Sequence, residues 1–478
     1  MKFKNSKLQI RFILTVVLIA VVTVGMTGCD LLDRIMEYLG PDFDVADSRL
    51  DSYDDFGPMG RISDDLPDRD FGGYEFTILS PDEARYIRDI YADELKGDII
   101  SGAVYQRNRA VEEKYNVKIT GIFHDSPEAW ARRSIVAGMD EFDLLALPMD
   151  MTAELAHQGL LLNFFEVPFI DFEKPWWPMW DRRTVNQQLS IMYRLYFAPN
   201  ALLTSGKDAT SVYVMNKNII IDYGLENPYD LVMNGLWTAD KMQEMARTVT
   251  VDINGDGIMS AVDRYGFLTS HNMLYASVNG SGGSAITKDE NDMPFAHISE
   301  LTLNAFNKWQ HIYNDRSSAW TGDSTEIFEM FTSNCGLFML MHIGEIPELR
   351  SNLQTDFGIL PHPKLDTAQQ NYYNPVDISG AVVSVPISHI DIGRTGIILE
   401  ALSAESFYTL IPAYYDTLLM TAFHRDDESE VMLDIIFATQ YFDLANIYGW
   451  IRDGDIFNGE RIQTHIDRTI EMFKEFNY

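Results

Sequence analysis

The sequence predicts an α/β fold with a largely parallel sheet, divided between two lobes. Three observations lead there. Strand-like and helix-like segments alternate from Tyr74 onward, as successive βα units do. Phe142-Asp143-Leu144-Leu145-Ala146-Leu147 is a short apolar run, as in a strand covered on both faces. A length of 478 residues exceeds one ordinary domain.

The elements follow in chain order. Lys2, Lys4, Lys7 and Arg11 precede an apolar run from Phe12 to Met26, which is too short to span a bilayer comfortably. Met26-Thr27-Gly28-Cys29 closes it in the form of a lipoprotein signal: residues 1–28 are removed and Cys29 is lipidated on its thiol and new amine. Two or more acyl chains then anchor the protein stably at the extracellular face of a bacterial cell membrane. The competing readings are a plain signal peptide and a membrane helix with an incidental cysteine. Residues 29–70 read as lipid anchor and flexible tether. Asp30–Asp70 carries 13 acidic residues against four arginines, with Gly57, Pro58, Gly60 and Pro67 breaking it further.

The folded part begins near Phe71. Residues 71–205 form the first part of lobe 1. Tyr74–Leu79 is a strand, Ile99–Tyr115 a helix, Val117–Ile122 and Phe142–Leu147 strands, and Met151–Leu161 a helix ending in a Gly159 turn. Residues 206–376 form lobe 2. Val212–Asn216 is a strand, Asn218–Tyr223 a short helix, and Thr238 caps a further helix with Met242, Met245 and Val249 on one face. Leu301–Tyr313 and Glu326–Phe331 are helical, while Leu337–Met341 and Phe357–Pro361 are strand-like. Residues 377–478 return to lobe 1 through the strand Ala381–Val385, and mostly helical segments then pack across the lobes.

Composition narrows the function. Lys plus Arg total 37 against 71 acidic residues, a net charge of −34, which argues against a nucleic-acid partner. Residues 1–28 hold four basic and no acidic residues, so the mature chain stands at about −38. Such charge suits an exposed soluble protein or one handling neutral or cationic ligands. The second cysteine, Cys335, sits in an apolar stretch and reads as a small buried side chain.

Five stretches together resemble the extracellular solute-binding proteins of family 1, the receptors of ABC importers for sugars and related solutes. They are the lipobox with its acidic tether; FDLLALPMDMTAELAHQGLLLNF, Phe142–Phe164; SVYVMNKNIIIDYGLENPYDLVMNGLWTADKMQEMA, Ser211–Ala246; CGLFMLMHIGEIPELRSNLQTDFGILPHPKLD, Cys335–Asp366; and ISGAVVSVPISH, Ile378–His389. The resemblance covers roughly Phe71–Tyr478 and rests on the order and spacing of motifs that are degenerate singly. It implies a two-lobed periplasmic-binding-protein-like fold of type II with a ligand cleft between the lobes, closure by hinge motion, and delivery to permease subunits. The receptor would act as a monomer that touches the membrane only through its lipid.

The resemblance also implies ligand residues at strand ends facing the cleft: Asp82, Asp150, His342, Glu345, Asp377 and Ser379. Carboxylates suit sugar hydroxyls, since one accepts two of them. Each residue has a plainer reading as a turn or capping group, and Asp150 can cap the helix that follows it. Aromatic rings stack on sugar faces, so Trp176 and Trp177, in the cluster Pro175–Trp180, and Trp320 are further candidates. Their alternative is core packing. Arg182 and Arg183 suit an acidic sugar or simply the surrounding carboxylates.

DINGDGIMSAVD, Asp252–Asp263, has the pattern of a calcium loop. Asp252, Asn254, Asp256, Ser260 and Asp263 supply oxygens at positions 1, 3, 5, 9 and 12, Ile258 its carbonyl at 7, and Gly257 the turn at 6. Asp263 stands where a bidentate Glu is usual, and no second loop pairs with this one. A structural calcium clip is expected, against an Asx-rich turn without metal. No G-x-S-x-G, H-E-x-x-H, Walker loop or CxxC is present. The expectation is therefore a non-catalytic receptor for an oligosaccharide or other small polar solute. A secreted glycoside-active enzyme and a surface carbohydrate adhesin are the alternatives.

Overall fold

The computed structural model describes residues 61–92, 98–177, 188–421, 427–451 and 458–475. Cys29, Trp180, Arg182 and Arg183 lie outside them.

The strands are β1 (Tyr74–Pro81), β2 (Val117–His124), β3 (Leu144–Pro148), β4 (Ser211–Asn216), β5 (Tyr265–Thr269), β6 (Ile286–Lys288), β7 (Pro294–Ala296), β8 (Ala319–Thr321), β9 (Gly336–His342), β10 (Phe357–Leu360), β11 (Asn374–Pro375), β12 (Ala381–Ser384) and β13 (Gln440–Tyr441). They make two main sheets. The first has the order β12-β3-β1-β2 and the second β10-β4-β9-β5-β8. Each sheet has its own apolar core. Phe76, Ile78 and Leu144–Leu147 fill the first, while Tyr213, Trp237, Phe267, Trp309 and Phe338 fill the second.

β1 is followed by the short helix Ala84–Ile90 and then by the helix Ile99–Tyr115, which Asp98 starts by accepting from the Ser101 amide. Asn116, left-handed at φ 50°, stops it one residue before β2. β2 then lies parallel to β1, from Tyr74 opposite Val117 to Pro81 opposite His124.

Both sheets are largely parallel with one reversed strand each, and the chain path explains that strand. β1, β2 and β3 run parallel, but β12 is antiparallel to β3, with Ala381 opposite Pro148. β5, β8 and β9 run parallel, but β4 is antiparallel to β9, with Ser211 opposite His342. β4 and β12 are the strands by which the chain arrives from the other sheet. They enter at the carboxyl ends of the parallel strands and so must run the opposite way.

The crossing segments touch one another: Thr210 bridges Val376, the Asp377 amide donates to the Ala209 carbonyl, and Gln440 donates to the Thr210 hydroxyl. The C-terminal helices divide between the cores. Ile392–Tyr408 packs in the first, Leu410–Thr421 and Asp427–Ala438 supply Tyr414, Leu418, Met432 and Leu433 to the second, and Gly459–Glu475 returns Ile462, Ile466 and Phe473 to the first.

Two further differences from the sequence reading are local. Residues 61–70, assigned above to the tether, lie against the first core. Arg61 pairs with Glu405 at 2.8 Å, Lys114 with Asp64 at 2.7 Å, and Leu66 packs on the apolar cluster. Their charges find partners on the folded surface instead of repelling each other. β5 follows the Asp252–Asp263 loop at once, and all five of its residues are buried. Among the described residues no helix is long and apolar enough to cross a membrane.

Candidate ligand cleft

Because both chain crossings enter at the carboxyl ends of parallel strands, those ends flank the crossing segments. Carboxyl ends of strands are where α/β sheets place ligands. β3 ends at Pro148, two residues before Asp150, and β12 begins just after Asp377–Gly380. The Met149 amide donates to the carbonyls of Ile378 and Gly380 at 2.9 and 3.0 Å, binding these two loops together. Tyr86, on the helix Ala84–Ile90 after β1, donates its hydroxyl to the Ser379 carbonyl at 2.8 Å. On the second sheet, the His342 amide donates to Glu345 at 2.8 Å, shaping the turn after β9. The Ile343 amide reaches the Thr210 carbonyl at 3.0 Å. A Cβ on Gly344 would stand 2.9 Å from the Cβ of Asp208, so this turn lies directly on the crossing segment.

The structure thus links Asp150, Asp377 and Ser379 and joins them through residues 208–210 to His342 and Glu345. Asp82, after β1, is exposed at the same sheet edge, with its amide on the His124 carbonyl. Asp150 is exposed, and its Oδ1 accepts from the Met151 amide at 2.8 Å, so the capping reading is also realised. Burial, then the charges of Asp377 and Glu128, push its carboxyl above the usual range despite that bond. Asp208 is likewise pushed up by burial, against the opposing charge of Arg88 and a hydrogen bond from Tyr414 at 2.8 Å.

Sequence reasoning missed Tyr86, Glu128 and Asp208. It also missed His271 and Asn272, exposed at the end of β5 where Ser270 caps the turn. The signal for the last pair was the apolar run of β5, masked by the loop before it.

A cavity of about 540 Å³ adjoins the crossing at β13, lined by Tyr193, Ser284, Lys288, Tyr441 and Asp443 among others. Asp443 accepts from Tyr275, Asn279, Ser284 and Tyr441 at 3.1, 3.2, 3.3 and 3.4 Å. Burial pushes its carboxyl up, against these bonds and the Asn446 amide.

The tryptophan assignments need correction. Trp176 and Trp177 are fully buried in the first core, and their indole N–H groups donate to the two oxygens of Glu400 at 2.7 and 2.8 Å. Neither ring is available to a sugar. A buried indole needs an acceptor, and this shared carboxylate supplies both. Trp320 is partly buried, donates to Glu326 at 3.0 Å, and carries the Arg316 guanidinium over its ring at 4.8 Å. That face is already occupied.

The Asp252–Asp263 loop is closed by its own side chains. Asp252 accepts from the Gly255 and Gly257 amides at 2.7 and 2.8 Å, Asn254 from Asp256 at 2.9 Å, and Asp256 from Ile258 at 2.7 Å. Asp263 accepts from the Ile253 and Ser260 amides at 3.0 and 2.8 Å. Gly255 and Gly257 take φ of 71° and 77°, which glycine adopts without strain. Among the described residues no three His, Cys, Asp or Glu side chains are grouped as a metal site. The donor set is all oxygen, as calcium requires, with Asn254, Ser260 and the Ile258 carbonyl completing the three aspartates.

With the geometry in place, comparison with solved structures decides the architecture. A cyclo/maltodextrin-binding protein complexed with maltotetraose matches with a TM-score of 0.53 at 12% identity, over 84% of this chain and 96% of that one. UspC of M. tuberculosis matches with a TM-score of 0.54 at 12% identity, over 83% of this chain and all of that one (100%). The fold is that of two-lobed solute-binding proteins. No protein-family model matches the chain, and no curated protein matches its sequence. The two-lobed fold names what the two cores and the crossings had described separately: two lobes with a cleft between them.

Proposed function

We propose that the protein is an extracellular, lipid-anchored receptor of an ABC importer, taking a carbohydrate, most suitably an oligosaccharide, into the cleft between its lobes. The observation that carries the reading is the joining of Asp150, Asp377 and Ser379 on one lobe to His342 and Glu345 on the other through residues 208–210. Acceptor carboxylates, a hydroxyl and an imidazole match a polyhydroxylated ligand, and a cleft lined from both lobes closes by hinge motion. The maltotetraose complex of the cyclo/maltodextrin-binding protein, which shares the fold, supports the choice of solute class. The function is capture and delivery to permease subunits, without turnover.

Calorimetric titration with maltooligosaccharides and other oligosaccharides, followed by product analysis, tests the reading. Saturable binding with intact saccharide is expected, and hydrolysis would overturn it in favour of an enzyme. A ligand at a hundred times its Kd also raises stability by about 2.7 kcal/mol, which a thermal-shift screen detects. Lipidation is tested by palmitate labelling, which Cys29→Ser should abolish. Calcium would be held by Asp252, Asn254, Asp256, Ser260, Asp263 and the Ile258 carbonyl as a clip behind β5. A calcium titration that leaves the melting temperature unmoved removes that part of the proposal.

A further inference from the structure

The loop Asp377–Gly380 carries two of the candidate ligand residues, and its backbone is held from several sides. The Met149 amide takes the carbonyls of Ile378 and Gly380 at 2.9 and 3.0 Å, and the Asp377 amide reaches the Ala209 carbonyl at 2.9 Å. Ile378 also packs on the first core. Between the two carbonyls taken by Met149 lies that of Ser379, which accepts the Tyr86 hydroxyl at 2.8 Å. Tyr86 comes from another part of the sheet, the helix Ala84–Ile90 after β1, and its ring is buried in the same core.

Both peptide planes at Ser379 are thereby pinned on both edges. The plane 378–379 has its carbonyl on Met149, and its amide donates to Asp377 Oδ1 at 2.9 Å. The plane 379–380 has its carbonyl on Tyr86, and its amide donates to the Asp377 carbonyl at 2.9 Å. A peptide unit is rigid, so fixing the two planes fixes the direction of the side chain between them. The same bonds orient the Asp377 carboxylate. Among the described residues, the Ser379 hydroxyl, Asp377 Oδ2 and Asp150 Oδ2 make no hydrogen bond within the chain.

The donor itself is secure. Burial holds the Tyr86 hydroxyl well above the usual tyrosine range, with the Arg85 charge opposing and the charges of Glu83, Asp150 and Asp377 adding to it. The hydroxyl therefore stays protonated beside the two carboxylates. Polar groups already held in place lose less freedom when a solute binds, so affinity depends on the residues that hold them.

We propose that Tyr86 is a positioning residue of the cleft: through the Ser379 carbonyl it sets the direction in which Ser379 and Asp377 present their free oxygens to a solute. Its ring is 2% exposed, so it acts through these two residues and does not touch the solute itself. The inference rests on the receptor reading above.

Tyr86→Phe keeps the ring in the core and removes only the donor. Oligosaccharide Kd, measured by calorimetry on the full chain, should rise roughly fivefold to tenfold, and amide exchange at Ser379 and Gly380 should quicken. Tyr372→Phe is the control. Its hydroxyl also donates to a backbone carbonyl, that of Val232 at 3.1 Å, but its ring is buried in the second core. It should lower stability without changing Kd or the exchange of the loop. In a chain already carrying Asp377→Asn and Ser379→Ala, Tyr86→Phe should have little further effect on Kd, since residues that act through one another are not additive. The proposal is overturned if Tyr86→Phe leaves Kd and loop exchange as in the parent, or if both tyrosine variants weaken binding alike. A parent that binds no oligosaccharide removes the receptor reading instead, and the exchange comparison of the two variants then decides alone whether Tyr86 holds the loop.

Discussion

Glu400 and Asp443 are both buried carboxylates surrounded by aromatic donors, yet they stand in different kinds of place. Glu400 lies inside the first core and takes two indole N–H groups, so it fixes residues 176–177 to a single lobe. Asp443 lies at the junction of the cores and takes donors from the helix Leu274–Gly280 and Ser284 on one side while its own neighbours pack on the other. One is a staple within a single core, and the other ties the first core to the helix Leu274–Gly280. Aromatic density alone does not separate a packing site from a working one. What separates them is whether the acceptor's partners belong to one core or to two.

The largest effect should come from breaking the staple. Trp177→Ala removes a fully buried indole and leaves Glu400 short of a donor, which should cost roughly 3–5 kcal/mol in urea unfolding. Saccharide affinity of the folded fraction should be unchanged, and a selective loss of affinity would return Trp177 to the cleft. Next comes pH. Burial pushes the Glu400 carboxyl from 4.5 up to about 7, against its indole partners. Its folded-state pKa is raised, so the folded state binds more protons between those values and stability falls as pH rises through that window. The loss is on the order of 3 kcal/mol and is complete above about pH 7. Glu400→Gln should flatten this slope, measured by unfolding at pH 5 and pH 8.

At the cleft, Asp150→Asn should weaken saccharide binding by roughly tenfold or more, as loss of a charged hydrogen-bonding group does. The melting temperature should hold or rise, because burial already disfavours the Asp150 charge. A fall in stability with unchanged affinity would leave Asp150 only its cap on Met151. The smallest effect concerns the junction itself. Asp443→Asn keeps the shape but turns an N–H₂ toward one set of donors that the carboxylate now accepts from, so about 1–2 kcal/mol of stability should go, with a change in inter-lobe distance that Glu400→Gln does not produce.

Much of this was legible in the sequence for physical reasons. Short apolar runs such as Leu144–Leu147 and Leu337–Met341, bounded by turn residues, suit buried strands, and the loops at their ends were found with them. The fate of Trp176 and Trp177 was not legible, because their partner lies 224 and 223 positions along the chain. Nothing in PWWPMW names Glu400. The direction of β4 and β12 escaped for a related reason: pattern shows that a segment is a strand, while the crossing path decides which way it runs. β5 was hidden by the Asx-rich loop before it, whose strong local signal drew attention from the five buried residues that follow.

The entry of β4 and β12 from the cleft edge has a consequence for how a receptor of the proposed kind would diversify. Ser211 lies opposite His342 and Ala381 opposite Pro148, so the pivots of the lobes and the rim of the cleft share the same few residues. Under the proposed receptor function, a substitution at 208–211 or 377–381 should alter recognition and the ease of lobe rotation together. The ends of β1 and β5 carry no crossing and do not adjoin the reversed strands, so under the same proposal changes there should alter selectivity with less effect on the pivot. Redesign toward a new solute should therefore begin at Asp82 and at His271–Asn272.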